Sequence, residues 1–181
     1  MIHPGLQRVL FHETAIAERL DAMAAEITAF YQDKPLTVLA ILNGSLVFAA
    51  DLLRRVPLPL RFESLGVASY HGGTESSGTV TFRQTALPDI LERHVLILDD
   101  ILDTGCTLHA VRQRILAEAA PLSVRVAVLL QKRKPRVEAL HADYVGFDID
   151  DEFVVGYGLD YQGHYRNLPV VGVIDPLLNG G

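Results

Sequence analysis

The chain of 181 residues has one cysteine, Cys106, so an internal disulfide framework and a cysteine-built zinc site are both excluded. It has no apolar run near the roughly 20 residues needed to cross a bilayer. Met1-Ile2-His3-Pro4-Gly5 carries neither the basic segment nor the apolar core of a secretory signal, which makes the cytoplasm the expected compartment and a membrane partner unexpected. Positive charge is scarce as well: 16 Lys and Arg stand against 22 Asp and Glu, a formal net charge of −6, which disfavours a general nucleic-acid-binding surface. The seven histidines fall at no two-ligand helical spacing. There is no GxxxxGK[ST], and Gly156-Tyr157-Gly158 lacks the third glycine of a dinucleotide fingerprint, so kinase and dehydrogenase readings find no support.

What is present is a hydrophobic content of 49%, enough to fill the core of a single domain spanning 1–181. Helical and strand patterns alternate without repeats, low-complexity tracts or linkers. Over residues 13–30, Ile16, Leu20, Met23, Ile27 and Phe30 share one face and predict an amphipathic helix. Residues 38–42 read as a buried strand, Asn43-Gly44 as a tight turn, and residues 45–55 as a helix turning Leu46, Phe48, Ala49, Leu52 and Leu53 inward. Residues 60–69 read as the next strand, and residues 70–78, rich in Gly, Ser and Thr, as a mobile loop. Further strands are expected over 124–130 and 142–147, with a helix between them and the signature strand that buries Leu108, Val111, Ile115 and Leu116. Such alternation calls for an α/β fold, a mostly parallel central sheet flanked on both faces by helices.

The most informative stretch is VLILDDILDTGCTL, from Val95 to Leu108. Its four leading apolar residues suit a strand buried on both faces, and Asp99 and Asp100 then fall at the carboxyl end, where ligands bind in open α/β sheets. Thr104-Gly105-Cys106-Thr107 is small enough for backbone N–H groups to converge on an anion at the next helix N-terminus. Acids beside such a cradle imply a polyhydroxylated, phosphorylated substrate with Mg²⁺. Asp99-Asp100-Ile101-Leu102-Asp103 also fits the DDxxD of polyprenyl synthases, where the acids ride a long helix, and a receiver-type phosphoacceptor site likewise uses paired acids. As a whole, the stretch resembles the phosphoribosyl-pyrophosphate signature of the type I phosphoribosyltransferases.

The resemblance extends along most of the chain. Leu42-Asn43-Gly44-Ser45, Ser69-Tyr70, the signature, Gln131-Lys132-Arg133, the segment DEFVVGYGLDY from Asp151 to Tyr161, and Tyr165-Arg166 occur in the order found in hypoxanthine-guanine phosphoribosyltransferases. The DEFVVGYGLDY segment is similar to the purine site and hood of that branch. The resemblance implies a type I phosphoribosyltransferase fold with a small hood contributed by the N-terminal segment and about 150–178, assembled as a homodimer or homotetramer. It implies purine salvage: N9 of hypoxanthine, or of guanine, attacks C1 of 5-phospho-alpha-D-ribose 1-diphosphate, giving IMP or GMP and pyrophosphate, with Mg²⁺ as cofactor and no nucleic-acid partner. A transferase preferring xanthine and a regulatory RNA-binding protein on the same fold are the alternatives. The second needs a basic face that this composition does not offer.

By the same resemblance, Asp103 lies near purine N7 and is the catalytic residue that manages its proton. Asp99 and Asp100 accept hydrogen bonds from the ribose hydroxyls or hold Mg²⁺, Asp99 standing where the family usually carries Glu. Thr104, Gly105, Cys106 and Thr107 hold the 5′-phosphate. Asn43 and Gly44 face pyrophosphate in a loop that in the family often contains a non-proline cis peptide, with Asn43 where many relatives carry Lys or Arg. Arg166 contacts pyrophosphate, and Ser69 and Tyr70 begin the loop expected to close over the site. Lys132 reaches the purine O6, Phe153 stacks on the ring, Val154 offers backbone groups to its edge, and Asp160 borders the purine and helps hold a second Mg²⁺. Read without the family, Asp103 caps the helix opening near Thr104, Asp99 and Asp100 cap it or stay solvated, the stretch from Lys132 to Arg136 is a solvated basic turn, Phe153 is core, Arg166 is a surface arginine and Asp160 a turn acid. Cys106 reads as a small loop residue in preference to a nucleophile.

Overall fold

The computed structural model describes residues 5–69, 80–136 and 140–174. Among them, strand β1 (Arg8–Phe11) leads into helix α1 (Glu13–Tyr31), strand β2 (Leu36–Leu42), helix α2 (Leu46–Leu53) and strands β3 (Leu60–Ser69), β4 (Val80–Phe82) and β5 (His94–Leu102). Helix α3 (Cys106–Glu118) and strands β6 (Ser123–Lys132), β7 (Tyr144–Ile149), β8 (Val154–Val155) and β9 (Val171–Val173) follow. The main sheet runs β4-β3-β2-β5-β6-β7 and is parallel throughout except for β4, which lies antiparallel on β3.

The long apolar run of β5 is explained by what covers it. Side chains alternate across a strand, so Leu96 and Leu98 join a core built with Leu20, Met23 and Ile27 of α1 and Phe48 and Leu52 of α2. Val95 and Ile97 turn to the opposite face, where Leu108, Val111 and Ile115 of α3 cover them. With helices on both faces, the four positions from Val95 to Leu98 are all shut off from water. In α1, burial of Ile16, Leu20, Met23, Ala24, Ile27 and Tyr31 follows the helical period, and the helix stops at Gln32, with Asp33 next in the left-handed region at φ 58°.

A second sheet, β1-β9-β8, is antiparallel and joins the two ends of the described chain. Its segment is tied to the main body by the Tyr157 hydroxyl, which donates to Asp51 of α2, and Arg8 of β1 pairs with Glu152 at 2.6 Å. Burial and the Asp51 carboxylate both push the Tyr157 hydroxyl above its ordinary pKa, which keeps it a donor. No described helix is long and apolar enough to cross a membrane.

Several expectations are corrected. Leu46 and Leu116 are 57% and 48% exposed, not inward, because each lies off the stripe set by its buried helical neighbours. Helix α3 opens at Cys106, not near Thr104: Gly105 takes the N-cap at φ 85°, so Asp103 caps nothing. Strand β5, by contrast, carries Asp99 and Asp100 at its carboxyl end as expected, its pairing with β6 continuing past them to Leu102↔Gln131. Phe153 is not core but 44% exposed. The expected loop 70–78 and the end of the hood beyond residue 174 lie outside the described residues.

This division of the core has a measurable consequence. Leu96→Ala, at a fully buried position, should cost about 2–5 kcal/mol and lower Tm by roughly 5–15 °C. Leu116→Ala, on the exposed side of α3, should stay within about 0.5 kcal/mol. Thermal melts of the two variants check the assignment of faces.

Candidate active site

The carboxyl ends of β2 and β5 bring the residues expected from the sequence to one edge of the sheet. A cleft of about 280 Å³ is lined there by Asn43, Gly44, Asp99, Asp100, Asp103, Thr104, Gly105, Thr107, Asp160 and Arg166, with Ile41, Leu42, Val67, Ile101, Leu102 and Leu108 as its apolar wall. Cys106 is partly buried and begins α3; its N–H lies 3.4 Å from the Thr104 hydroxyl. The Leu42–Asn43 peptide is cis. A Cβ added to Gly44 would sit 1.8 Å from the Asp100 carboxylate, so only glycine lets the turn and the acid share this space. β3 ends at Ser69, whose side chain, like all of Tyr70, lies outside the described residues.

A second cleft, about 190 Å³, abuts the first and is lined by Lys132, Glu152, Phe153, Val154 and Leu159 together with Asp100, Ile101, Asp103 and Asp160. Those last four belong to both clefts. Phe153 is exposed on its wall and meets Tyr161 edge to face at 5.5 Å between ring centres, an arrangement that leaves a ring available to a planar ligand.

The charges in the site are not at rest. Burial, and then the adjacent Asp100, push the Asp99 carboxyl well above the usual carboxylate range, although the Asp100 N–H donates to Asp99 Oδ1 at 3.1 Å. Asp100 is raised too, because burial outweighs its hydrogen bonds and the Arg166 guanidinium. Arg166 pairs with Asp160 at 2.6 Å and donates to the Gly158 carbonyl at 2.6 Å, while Asp160 also accepts from the Gly163 N–H at 2.8 Å. Lys132, nearly buried, lies 3.1 Å from Asp103 and 2.9 Å from Asp151.

Two residues of this second cluster, Lys134 and Asp151, went unassigned in the sequence. Lys134 lies 2.5 Å from Asp103 and 3.0 Å from Asp151, so it shares both acids with Lys132. The signal was available: residues i and i+2 of an extended segment point the same way, and Lys132-Arg133-Lys134 leaves the end of β6.

A family model for the phosphoribosyl transferase domain matches residues 9–162. A hypoxanthine-guanine phosphoribosyltransferase of Streptococcus pneumoniae R6 is 41% identical over 174 residues, which is 96% of each chain. One from Staphylococcus epidermidis RP62A is 43% identical over 173 residues, again 96% of each. The chain belongs to the hypoxanthine-guanine phosphoribosyltransferase family. The crystal structure of a Staphylococcus aureus hypoxanthine phosphoribosyltransferase matches it with a TM-score of 0.92 at 40% identity, over 99% of this chain and 97% of that one. A Trypanosoma cruzi hypoxanthine phosphoribosyl transferase gives 0.90 at 35% identity, over 99% and 97%. Membership in this family sets aside the polyprenyl-synthase reading, whose acids ride a helix where these ride a strand, and the receiver reading with it.

The raised carboxyls make ligand-free stability depend on pH. Folded Asp99 binds its proton more tightly than the unfolded chain does, so its contribution is present below the unfolded value near 3.8 and is lost as pH rises through the raised one. Asp99→Asn should therefore melt a few degrees above the parent at neutral pH, with the gain shrinking toward about pH 4. Melting curves of both proteins across that range test this; parallel pH profiles would mean that Asp99 carries no such penalty.

Proposed function

We propose that the paired clefts bind a phosphoribosyl pyrophosphate and a 6-oxo purine side by side and join them. The protein is a pentosyltransferase of purine salvage: it moves the phosphoribosyl group to hypoxanthine, releasing pyrophosphate and forming IMP. One observation carries the reading of the site: Asp100, Ile101, Asp103 and Asp160 border both clefts, so a ribose carbon held in the first faces a ring held in the second.

On this reading the amides and hydroxyls of residues 104–107 hold the 5′-phosphate at the start of α3. Asn43, Gly44 and Arg166 face the pyrophosphate, and the ribose hydroxyls meet Asp99 and Asp100. Phe153 covers the purine ring, the Val154 backbone borders its edge, and Lys132 donates to O6. An ammonium has three donors; with two directed to Asp103 and Asp151, one is left for the base. Asp103 sits at the junction of the clefts and handles the N7 proton as N9 forms its bond to C1 and the C1–O bond to pyrophosphate breaks. The segment bearing Ser69 and Tyr70 excludes water from the positively charged sugar.

Asp99 and Asp100 fit a magnesium ion, and Asp160 extends the same acidic edge. They are hard oxygen donors at the floor of an anion cleft, and like charges forced together out of water are relieved by a divalent cation. Among the described residues no group of three or more His, Cys, Asp or Glu side chains stands together as a metal site, so an ion held by Asp99 and Asp100 would complete its shell with water and substrate oxygens. Bound there, Mg²⁺ would neutralise charge on the departing pyrophosphate. Guanine as a second base, a homodimer or homotetramer, and the cytoplasm as compartment complete this reading. Work on the Trypanosoma cruzi relative likewise concerns an oligomeric state.

The base preference tests it. A donor-only group facing the 6-position suits a 6-oxo purine and leaves the 6-amino group of adenine facing another donor, a mismatch that can reach about 10⁴ in a closed site. Hypoxanthine with phosphoribosyl pyrophosphate and Mg²⁺ should yield IMP, and adenine almost no product. Lys132→Gln, whose amide both donates and accepts, should lower kcat/KM for hypoxanthine and narrow its lead over adenine. An unchanged ratio in the two proteins would assign O6 to another residue.

A further inference from the structure

We infer that Lys134 is a positioning residue for Asp103, and this inference rests on the role proposed above for Asp103. The two lysines and two acids at the end of the purine cleft form a closed square. Lys132 contacts Asp103 Oδ2 at 3.1 Å and Lys134 contacts Asp103 Oδ1 at 2.5 Å, so each carboxylate oxygen has its own cation. Asp151 Oδ1 closes the square, at 2.9 Å from Lys132 and 3.0 Å from Lys134.

The members are not equivalent. Lys132 lines the cleft, whereas Lys134 does not and contacts the Asp103 oxygen that is shut off from solvent. The Asp103 side chain follows the last residue of β5 and is 38% exposed as a whole, yet its Oδ1 is shut off from solvent. Of the other acids lining the cleft, Glu152 is paired with Arg8 and Asp160 with Arg166, so the two lysines are the cations left to Asp103. An ammonium on the shielded Oδ1 holds the carboxylate in one orientation and leaves Oδ2, beside Lys132, for the base. Lys134 also supplies a second cation for Asp151, which would otherwise draw on Lys132 alone. Removing Lys134 leaves two acids competing for the one ammonium that must spare a donor for the purine. Strong pairing holds Lys134 as well: although burial works against its charge, hydrogen bonds to Asp103 and Asp151 raise its pKa.

A carboxylate that has lost its anchor costs turnover before it costs binding of the phosphoribosyl donor, which is held elsewhere. Lys134→Met is expected to lower kcat with hypoxanthine about tenfold and to leave KM for phosphoribosyl pyrophosphate within about twofold. Lys134→Arg, which keeps a cation at that reach, should restore most of the rate. The decisive arm is the double variant: with Asp103→Asn already made, Lys134→Met should cost nothing further. A full additional tenfold loss on that background, or no loss in Lys134→Met alone, would overturn the inference. Normal turnover in Asp103→Asn alone would overturn the role of Asp103 first, and the assignment of Lys134 with it.

Discussion

The arrangement depends on two adjacent carboxylates crowded at the end of the central strand, Asp99 buried and Asp100 half-buried at the wall of both clefts. Asp99 and Asp100 are drawn into the β5 ladder by its pairing with β6, and the apolar residues before them are locked between α1 and α2 on one face and α3 on the other. A charge held there is costly, as the raised carboxyl pKa values record. The surrounding parts answer that cost. Gly44 removes the Cβ that would collide with Asp100, Arg166 brings a cation near it, and the loop from Gly105 into α3 presents donors rather than more acids. A stable but ill-disposed acidic edge of this kind is suited to a cation and a hydroxylated sugar, and less to an empty protein.

The small antiparallel sheet acts on this edge from the other side. Gly158 approaches the Gly44 carbonyl so closely that a Cβ there would stand 2.1 Å away, at a φ of 103° that already favours glycine. Arg166 holds the same loop through the Gly158 carbonyl and Asp160. The turn at Asn43-Gly44 and the segment that borders the second cleft are therefore packed backbone to backbone, which links the walls of the two clefts without a long side chain between them.

Much of this was legible in the chain. Strand β3 coincides with the expected 60–69, α1 differs by one residue at its end, and the run Val95 to Leu98 correctly signalled burial on both faces, because a strand that is apolar without alternation needs cover on each side. β1, β8 and β9 were not legible: strands of two to four residues carry no usable period and exist through pairing with distant segments. Leu46 and Leu116 misled because composition names apolar residues but not the side of the helix they occupy. In the site, the motifs drew Asp99, Asp100, Asp103, Arg166 and Lys132 to one edge, whereas the partnership of Lys134 with Asp103 and Asp151 required the turn after β6 to fold back on the end of β5. Nor did the sequence show that Asp99 Oδ1 is occupied by the Asp100 N–H.

On the proposed function, one edge of the sheet holds phosphate, sugar and base in line across the shared wall of two clefts. A crystal structure of the protein with IMP tests it most directly. The 5′-phosphate should lie on residues 104–107, the ribose hydroxyls beside Asp99 and Asp100, and the purine against Phe153 with O6 at Lys132 and N7 at Asp103. A base seated in the first cleft, or a phosphate bound away from the start of α3, would contradict it.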